Sequence, residues 1–192
     1  MSDPRSTYEP LTESVRRLVE LTIRTEAEAT TIAEAKARID SVVEDLSRSV
    51  MSSSFGVRQV ADGQGPAWGN AVIGVRNPLA PPLAVHHEAD GSVWSEFILG
   101  AQYEGPPGHV HGGICALVLD HVLGATAHQP GRPSVTGTLQ LRYERGTPLG
   151  PLRAEAHVDR IEGVKTFAVG YITDAAGITV RAEGVFIFPR TR

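Results

Sequence analysis

Cysteine is nearly absent: Cys115 stands alone in 192 residues. One thiol excludes an intrachain disulfide and fits a reducing compartment. Long apolar runs are missing too, since none approaches the roughly 20 residues that a membrane helix needs. Basic residues number 18 against 22 acidic ones, a formal net charge of −4, and no Lys/Arg cluster is dense enough for a nucleic-acid footprint. The glycines form neither GxGxxG nor a GKS or GKT ending, which excludes the dinucleotide and P-loop fingerprints. The opening MSDPRSTYEP is polar and includes acids, which argues against a secretory signal or a transit peptide. What remains is the expectation of a soluble, cytoplasmic protein: one domain plus an appendage, with enough chain to bury a core.

Glycine and proline are both missing from residues 11–50, a stretch rich in Glu, Ala, Arg and Leu. Leu11, Val15, Leu18 and Thr22 form one helical stripe; Ile32, Ala35, Ile39, Val42 and Leu46 form another. Between them, Thr25 with Glu28 and Thr31 with Glu34 have capping-box spacing. The spacing predicts two helices, or one bent near 25–31, in an N-terminal helical extension over 1–50 that packs or assembles. Residues 51–70 read as a linker, leaving 71–192 as the main domain.

In that domain NPLAPPL at 77–83 is too proline-rich for a central strand. Period-two patterning begins at Leu83 and predicts a hairpin, 83–87 and 92–101, turning at Ala89-Asp90-Gly91. Four further strands are expected at 134–145, 152–161, 165–173 and 178–189, joined by short turns as an antiparallel meander. Between hairpin and meander lies YEGPPGHVHGGICALVLDHVLGATA, residues 103–127. Its Gly, Pro and His start cannot be regular structure. It then becomes a helix, with Ile114, Leu117, Val118, His121, Val122 and Ala125 at spacings of three and four. The helix is apolar on nearly every side, so it should be buried, and the pattern reads as an α+β fold with a curved sheet around it.

Asp120 interrupts that helix with no cation one turn away, and a carboxylate there is costly unless it is hydrogen-bonded. Unpaired N–H groups at the helix start make Gly112 and Gly113 a place for a carbonyl oxygen that gains negative charge. Asp120 lies about seven residues beyond, about 10 Å along the axis. A single helix cannot bring both ends to one carbonyl, so the pattern asks for a two-fold dimer of antiparallel helices with two shared sites.

The run 103–120, with NPLAPPL, His111-Gly112-Gly113, Asp120 nine residues after His111, LRYERGTPL at 141–149 and EGVK at 162–165, resembles the signature of hotdog-fold acyl-CoA thioesterases. It is similar in particular to the long- and medium-chain branch, with phenylacetyl-CoA thioesterase relatives. The resemblance implies a hotdog fold, a site built across a dimer or dimer of dimers, and hydrolysis of an acyl-CoA thioester to acid and free coenzyme A. Coenzyme A is then part of the substrate, and neither cofactor nor metal is called for. His109, His111, His86 and His87 show no full ligand set at a recognisable spacing.

The roles that follow are Gly112 and Gly113 amides on the thioester carbonyl, Asp120 as general base or nucleophile, and His111 orienting the loop or the carbonyl. Thr136, sixteen residues past Asp120, matches a hydroxyl position that the family uses to place water or the carboxylate. Thr138 is the alternative, on the expectation that it shares a strand face with Thr136. For the coenzyme A end the resemblance points to Arg142, Glu144, Val164 and Lys165. The chain departs from the common pattern at Glu144, Gly146 and Val164. A non-catalytic acyl-thioester binding or regulatory module, and hydrolysis of acyl carrier protein thioesters, are the alternative functions. Cys115, one turn into an apolar helix without an activating base, is expected to be an inert core thiol.

Overall fold

A computed structural model describes residues 4–52, 68–128 and 133–189. Most of the expected linker, 53–67, lies outside the described residues. The chain divides into two compact units, Met1–Pro78 and Leu79–Arg192.

The first unit holds helices α1 (Pro4–Arg24) and α2 (Ala29–Ser47). The break falls at 25–28, inside the expected bend, but neither capping box forms. Glu28 occupies the N-cap position without a side-chain cap, Thr25 Oγ1 instead accepts from the Ala27 amide at 3.2 Å, and Thr31 lies within α2. A Thr hydroxyl two residues from an available amide closes a local turn that competes with the cap. In the same unit Arg76 lies 3.7 Å over the Tyr8 ring, which meets Trp68 edge-on. No residue of α2 is buried.

The second unit is a six-stranded antiparallel sheet against one helix. The strands are β1 (His86–His87), β2 (Val93–Leu99), β3 (Val135–Tyr143), β4 (Gly150–Glu162), β5 (Lys165–Asp174) and β6 (Gly177–Ile187). Helix α3 spans Gly112–Ala127. The sheet order is β1-β2-β4-β5-β6-β3. The hairpin β1–β2 and the meander β4–β5–β6 match the alternation of the sequence. Gly163 and Gly177 take positive φ, 56° and 116°, in the two tight turns of the meander.

The expected four-strand meander is corrected at β3, which pairs with β6 at the far edge and not with β4. Its exit, residues 144–149, is a crossing segment stitched to the loop ahead of α3. The Val110 amide donates to Thr147 O at 2.8 Å and the Leu149 amide to Gly108 O at 3.1 Å. Six residues are enough to cross the open side of the unit, so a short link did not imply neighbouring strands.

The helix lies on the concave face because the residues beneath it are small. Ala154, Ala156, Ala168 and Ala182 are buried under it with Val118, Leu119, Val122 and Leu123. At Gly170 an added Cβ would come within 2.6 Å of Glu155 O and 2.7 Å of a Leu123 methyl. The sheet covers only part of the helix: Ile114, Leu117, Asp120, His121 and Gly124 remain half-buried along the other side.

Candidate active site

The loop leading into α3 is a miniature hairpin. The Glu104 carboxylate accepts from the Gly108 amide at 2.6 Å, where φ is +73°, and the Gly105 amide donates to His109 O at 2.9 Å. Gly105 has no room for a side chain, since a Cβ would stand 2.8 Å from His111 Cα. The His111 amide donates to Tyr103 O at 2.8 Å, and the buried Tyr103 hydroxyl donates to Ala80 O at 3.0 Å. The loop therefore delivers His111 to a fixed place as the N-cap of α3.

At that cap the His111 ring does what an Asn or Ser usually does. Its Nδ1 accepts from the Gly113 amide at 3.0 Å. Nδ1 must then carry no proton, which leaves the neutral ring with its N–H at Nε2. The Gly113 amide is committed to this bond, so the two amides expected to face a carbonyl are not equivalent. Gly112 N–H has no partner among the described residues. The carbonyl of Gly112 accepts from the Tyr143 hydroxyl at 2.9 Å. Tyr143, at the end of β3, was not singled out from the sequence, although it lies within LRYERGTPL.

Nearly two turns further, Asp120 is half-buried, and its Oδ1 accepts from Thr136 Oγ1 at 2.9 Å. His121 beside it has its pKa pushed below the usual value by burial, with the Asp120 charge opposing. Among the described residues, the Thr136 hydroxyl is the hydrogen-bond partner of Asp120.

Thr138 is elsewhere. A bulge at Gly137 makes Thr136 pair with Phe186 and Thr138 with Val185, neighbours on β6 that face opposite ways. The expectation that the two threonines share a face is therefore corrected: Thr138 lies on the convex side, with Gln140, Arg160 and Phe167. Arg142 and Glu144 are also on the outer side of β3. Glu144 Oε1 lies 3.5 Å from Arg142 Nε and 3.4 Å from Arg181 Nε. Val164 and Lys165 sit at the β4–β5 turn, where Lys165 is opposite Ile187, itself opposite Val135 at the start of β3. Within one chain the two groups stand at opposite ends of β3, roughly 20 Å apart at 3.4 Å per residue.

Other candidates have structural partners. Arg145 chelates Asp174, with Nη1 on Oδ2 at 2.9 Å, Nη2 on Oδ1, and Nη2 also on Gly177 O at 2.9 Å. His109 Nδ1 meets Pro107 O at 2.9 Å, and its ring fills the place of a Gly146 side chain, since a Cβ there would come within 2.5 Å of it. That packing accounts for glycine at this departure from the family pattern. Cys115 is buried and its thiol is pushed up by burial, Thr147 opposing. Among the described residues no group of three or more His, Cys, Asp or Glu is placed to hold a metal ion. No helix among them is long and apolar enough to cross a membrane.

The thioesterase superfamily model matches residues 107–180, from the loop ahead of α3 to the first residues of β6. The crystal structure of protein RHA08564, a thioesterase superfamily protein, superposes with a TM-score of 0.82 at 34% identity, over 94% of both chains. This chain belongs to the thioesterase superfamily. Zebra fish thioesterase superfamily member 2 shares the fold, with a TM-score of 0.52 at 20% identity over 56% of this chain and 81% of its own. Acyl-coenzyme A thioesterase THEM5 of Homo sapiens is 30% identical over 91 residues, 46% of this chain and 37% of that protein. Acyl-coenzyme A thioesterase THEM4 of Xenopus laevis is 30% identical over 104 residues, 54% and 47% of the two. The chain thus spans less than half the length of these curated relatives. The hotdog architecture expected from 103–120 is the one the superfamily's solved structures share.

Proposed function

We propose that this protein hydrolyses acyl-CoA thioesters at two identical sites formed across a two-fold dimer. The observation that carries the reading is the division of one helix into two half-sites: an unpaired Gly112 N–H at its start, and Asp120 held by Thr136 nearly two turns on. Both lie toward the side that the sheet leaves uncovered. The edge strand β3 runs antiparallel to the helix, with Tyr143 at Gly112 and Thr136 at Asp120. A two-fold pairing of two β3 edges about Leu139–Gln140 brings one chain's Asp120–Thr136 end to the other chain's Gly112–Tyr143 end. It also brings the Lys165 end of one chain to the Arg142 end of the other, so cations separated by roughly 20 Å in one chain become neighbours. Their side chains suit the phosphates of coenzyme A.

In the reaction, the thioester carbonyl oxygen takes up charge against the Gly112 N–H and the exposed ring of His111. Asp120 of the opposite chain either draws a proton from water, which adds to the carbonyl carbon, or attacks that carbon itself. On collapse the C–S bond breaks and the thiolate takes a proton and leaves as free thiol. The first route yields the acid at once; in the second, water hydrolyses the acyl–Asp120 anhydride to release the acid and restore the carboxylate. The apolar side of α3 at Ile114 and Leu117 offers the acyl chain its path.

The test is complementation. Asp120→Asn and Gly112→Val variants, each inactive alone, are unfolded together and refolded as a mixture. Sharing predicts recovery of about a quarter of wild-type thiol release, since half the dimers carry one intact site of two. No recovery, with heterodimers present by mass, would show that each site lies within one chain.

A further inference from the structure

The peptide unit joining Gly112 to Gly113 is held at both ends. Its carbonyl accepts from the Tyr143 hydroxyl at 2.9 Å, and its N–H donates to His111 Nδ1 at 3.0 Å. This peptide is the first of α3, so the helical backbone orients it, and the two side-chain bonds secure it at the end of the helix, where flanking glycines leave the backbone freest. The space is matched to the phenol: a Cβ on Gly112 would meet the Tyr143 oxygen at 3.1 Å and two of its ring carbons at 3.3 Å.

We propose that Tyr143 is a positioning residue for the thioester site, acting through this peptide on the proton of His111. By holding the Gly112 carbonyl, it points the Gly113 N–H at Nδ1. That bond excludes a proton from Nδ1 and places it on Nε2. The exposed ring then presents an Nε2–H donor, and no described residue accepts from it or from the Gly112 N–H. Without the phenol the first turn frays more readily, the Gly113 N–H can leave Nδ1, Nδ1 can then carry the proton, and the donor toward the substrate is lost. Burial, with Cys115 adding to it, pushes the Tyr143 phenol above its ordinary value, so the hydroxyl stays a donor through the neutral range. The inference rests on the thioesterase reading for its kinetic consequence, but the tautomer itself does not.

Tyr143→Phe removes the hydroxyl and keeps the ring. In the 192-residue chain the expected result has two parts. Turnover of an acyl-CoA substrate falls about tenfold with KM within about twofold, the order for one neutral hydrogen bond acting in the transition state. The 15N spectrum of the His111 ring, assigned by its loss in His111→Gln, moves from an Nε2-protonated form in the wild type toward a mixture of tautomers. A residue that only packed the interface would change the oligomeric mass or the melting temperature and leave the ring nitrogens alone. Unchanged ring nitrogens in Tyr143→Phe overturn the proposal, as does unchanged turnover in a protein whose wild type is active. A wild type that releases no thiol from acyl-CoA would sink the functional reading instead, while the ring spectrum still decides whether Tyr143 sets the tautomer.

Discussion

Thr136 and Asp120 come from different elements, sixteen positions apart, and meet at 2.9 Å with the hydroxyl donating. The bond satisfies a carboxylate that the sequence leaves alone in an apolar helix, and it aims that carboxylate away from the core. Thr136→Ala is expected to reduce kcat roughly thirtyfold, from the loss of about 2 kcal/mol in a hydrogen bond to a charged group. Thr136→Ser should recover most of it. Asp120→Asn is expected to remove about 10²- to 10⁴-fold of activity with the fold retained. Steady-state kinetics beside circular dichroism would check both. Equal activities for Thr136→Ala and wild type would mean that the hydroxyl does not place the carboxylate.

Gly170 sets how closely the helix approaches the sheet. Its missing side chain would overlap a backbone carbonyl, Glu155 O, at 2.6 Å, and neither β4 nor Leu123 can move without disturbing the core. Gly170→Ala is expected to destabilise by about 1–3 kcal/mol, as overpacking does. In a chain of this size that lowers the melting temperature by roughly 2–4 °C per kcal/mol. The position is remote from Gly112 and Thr136, so specific activity per folded molecule should hold. A melting temperature equal to wild type would show that the helix has slack.

Much of this was legible before the structure. Period-two alternation marked all six strands, because a sheet with one buried face writes itself into every second residue. The helix and its lone carboxylate were legible because charge inside an apolar run is rare. Three things were not. The position of β3 depends on a crossing segment whose hydrogen bonds to 108–110 are non-local, and strand order leaves no mark on periodicity. The opposed faces of Thr136 and Thr138 depend on one bulge residue, Gly137, which shifts every later position by one. Tyr143 was likewise invisible as a site residue, since its partner is a backbone carbonyl 31 positions away.

Arg145 ties the exit of β3 to the β5–β6 turn through Asp174, so the crossing segment depends on an ion pair. The Arg145 hydrogen bond is the main cause that lowers the Asp174 carboxyl to about 2, with the Ala176 and Gly177 amides assisting and desolvation opposing. A carboxyl depressed on folding stabilises above its unfolded value of 3.8, and that contribution is lost as pH falls toward about 2. Asp174→Asn is therefore expected to flatten the decline of stability over this window. Urea midpoints measured across it for both proteins would decide, and parallel declines would place the acid sensitivity elsewhere.

Leu117 lies on the uncovered side of α3, half-buried, one turn before His121 and between the two half-sites. In the proposed two-fold arrangement each copy brings this side chain to the shared interface. A charge there meets its own image across the axis with little water to screen it. Leu117→Lys is therefore expected to give a folded monomer with thiol release reduced to background, because Gly112 and the Asp120 it needs would no longer meet. Light scattering coupled to size exclusion gives the mass, and circular dichroism shows whether the sheet persists. A monomeric Leu117→Lys that hydrolyses at the wild-type rate would break the link between the divided helix and the chemistry, whatever the wild type's oligomeric state.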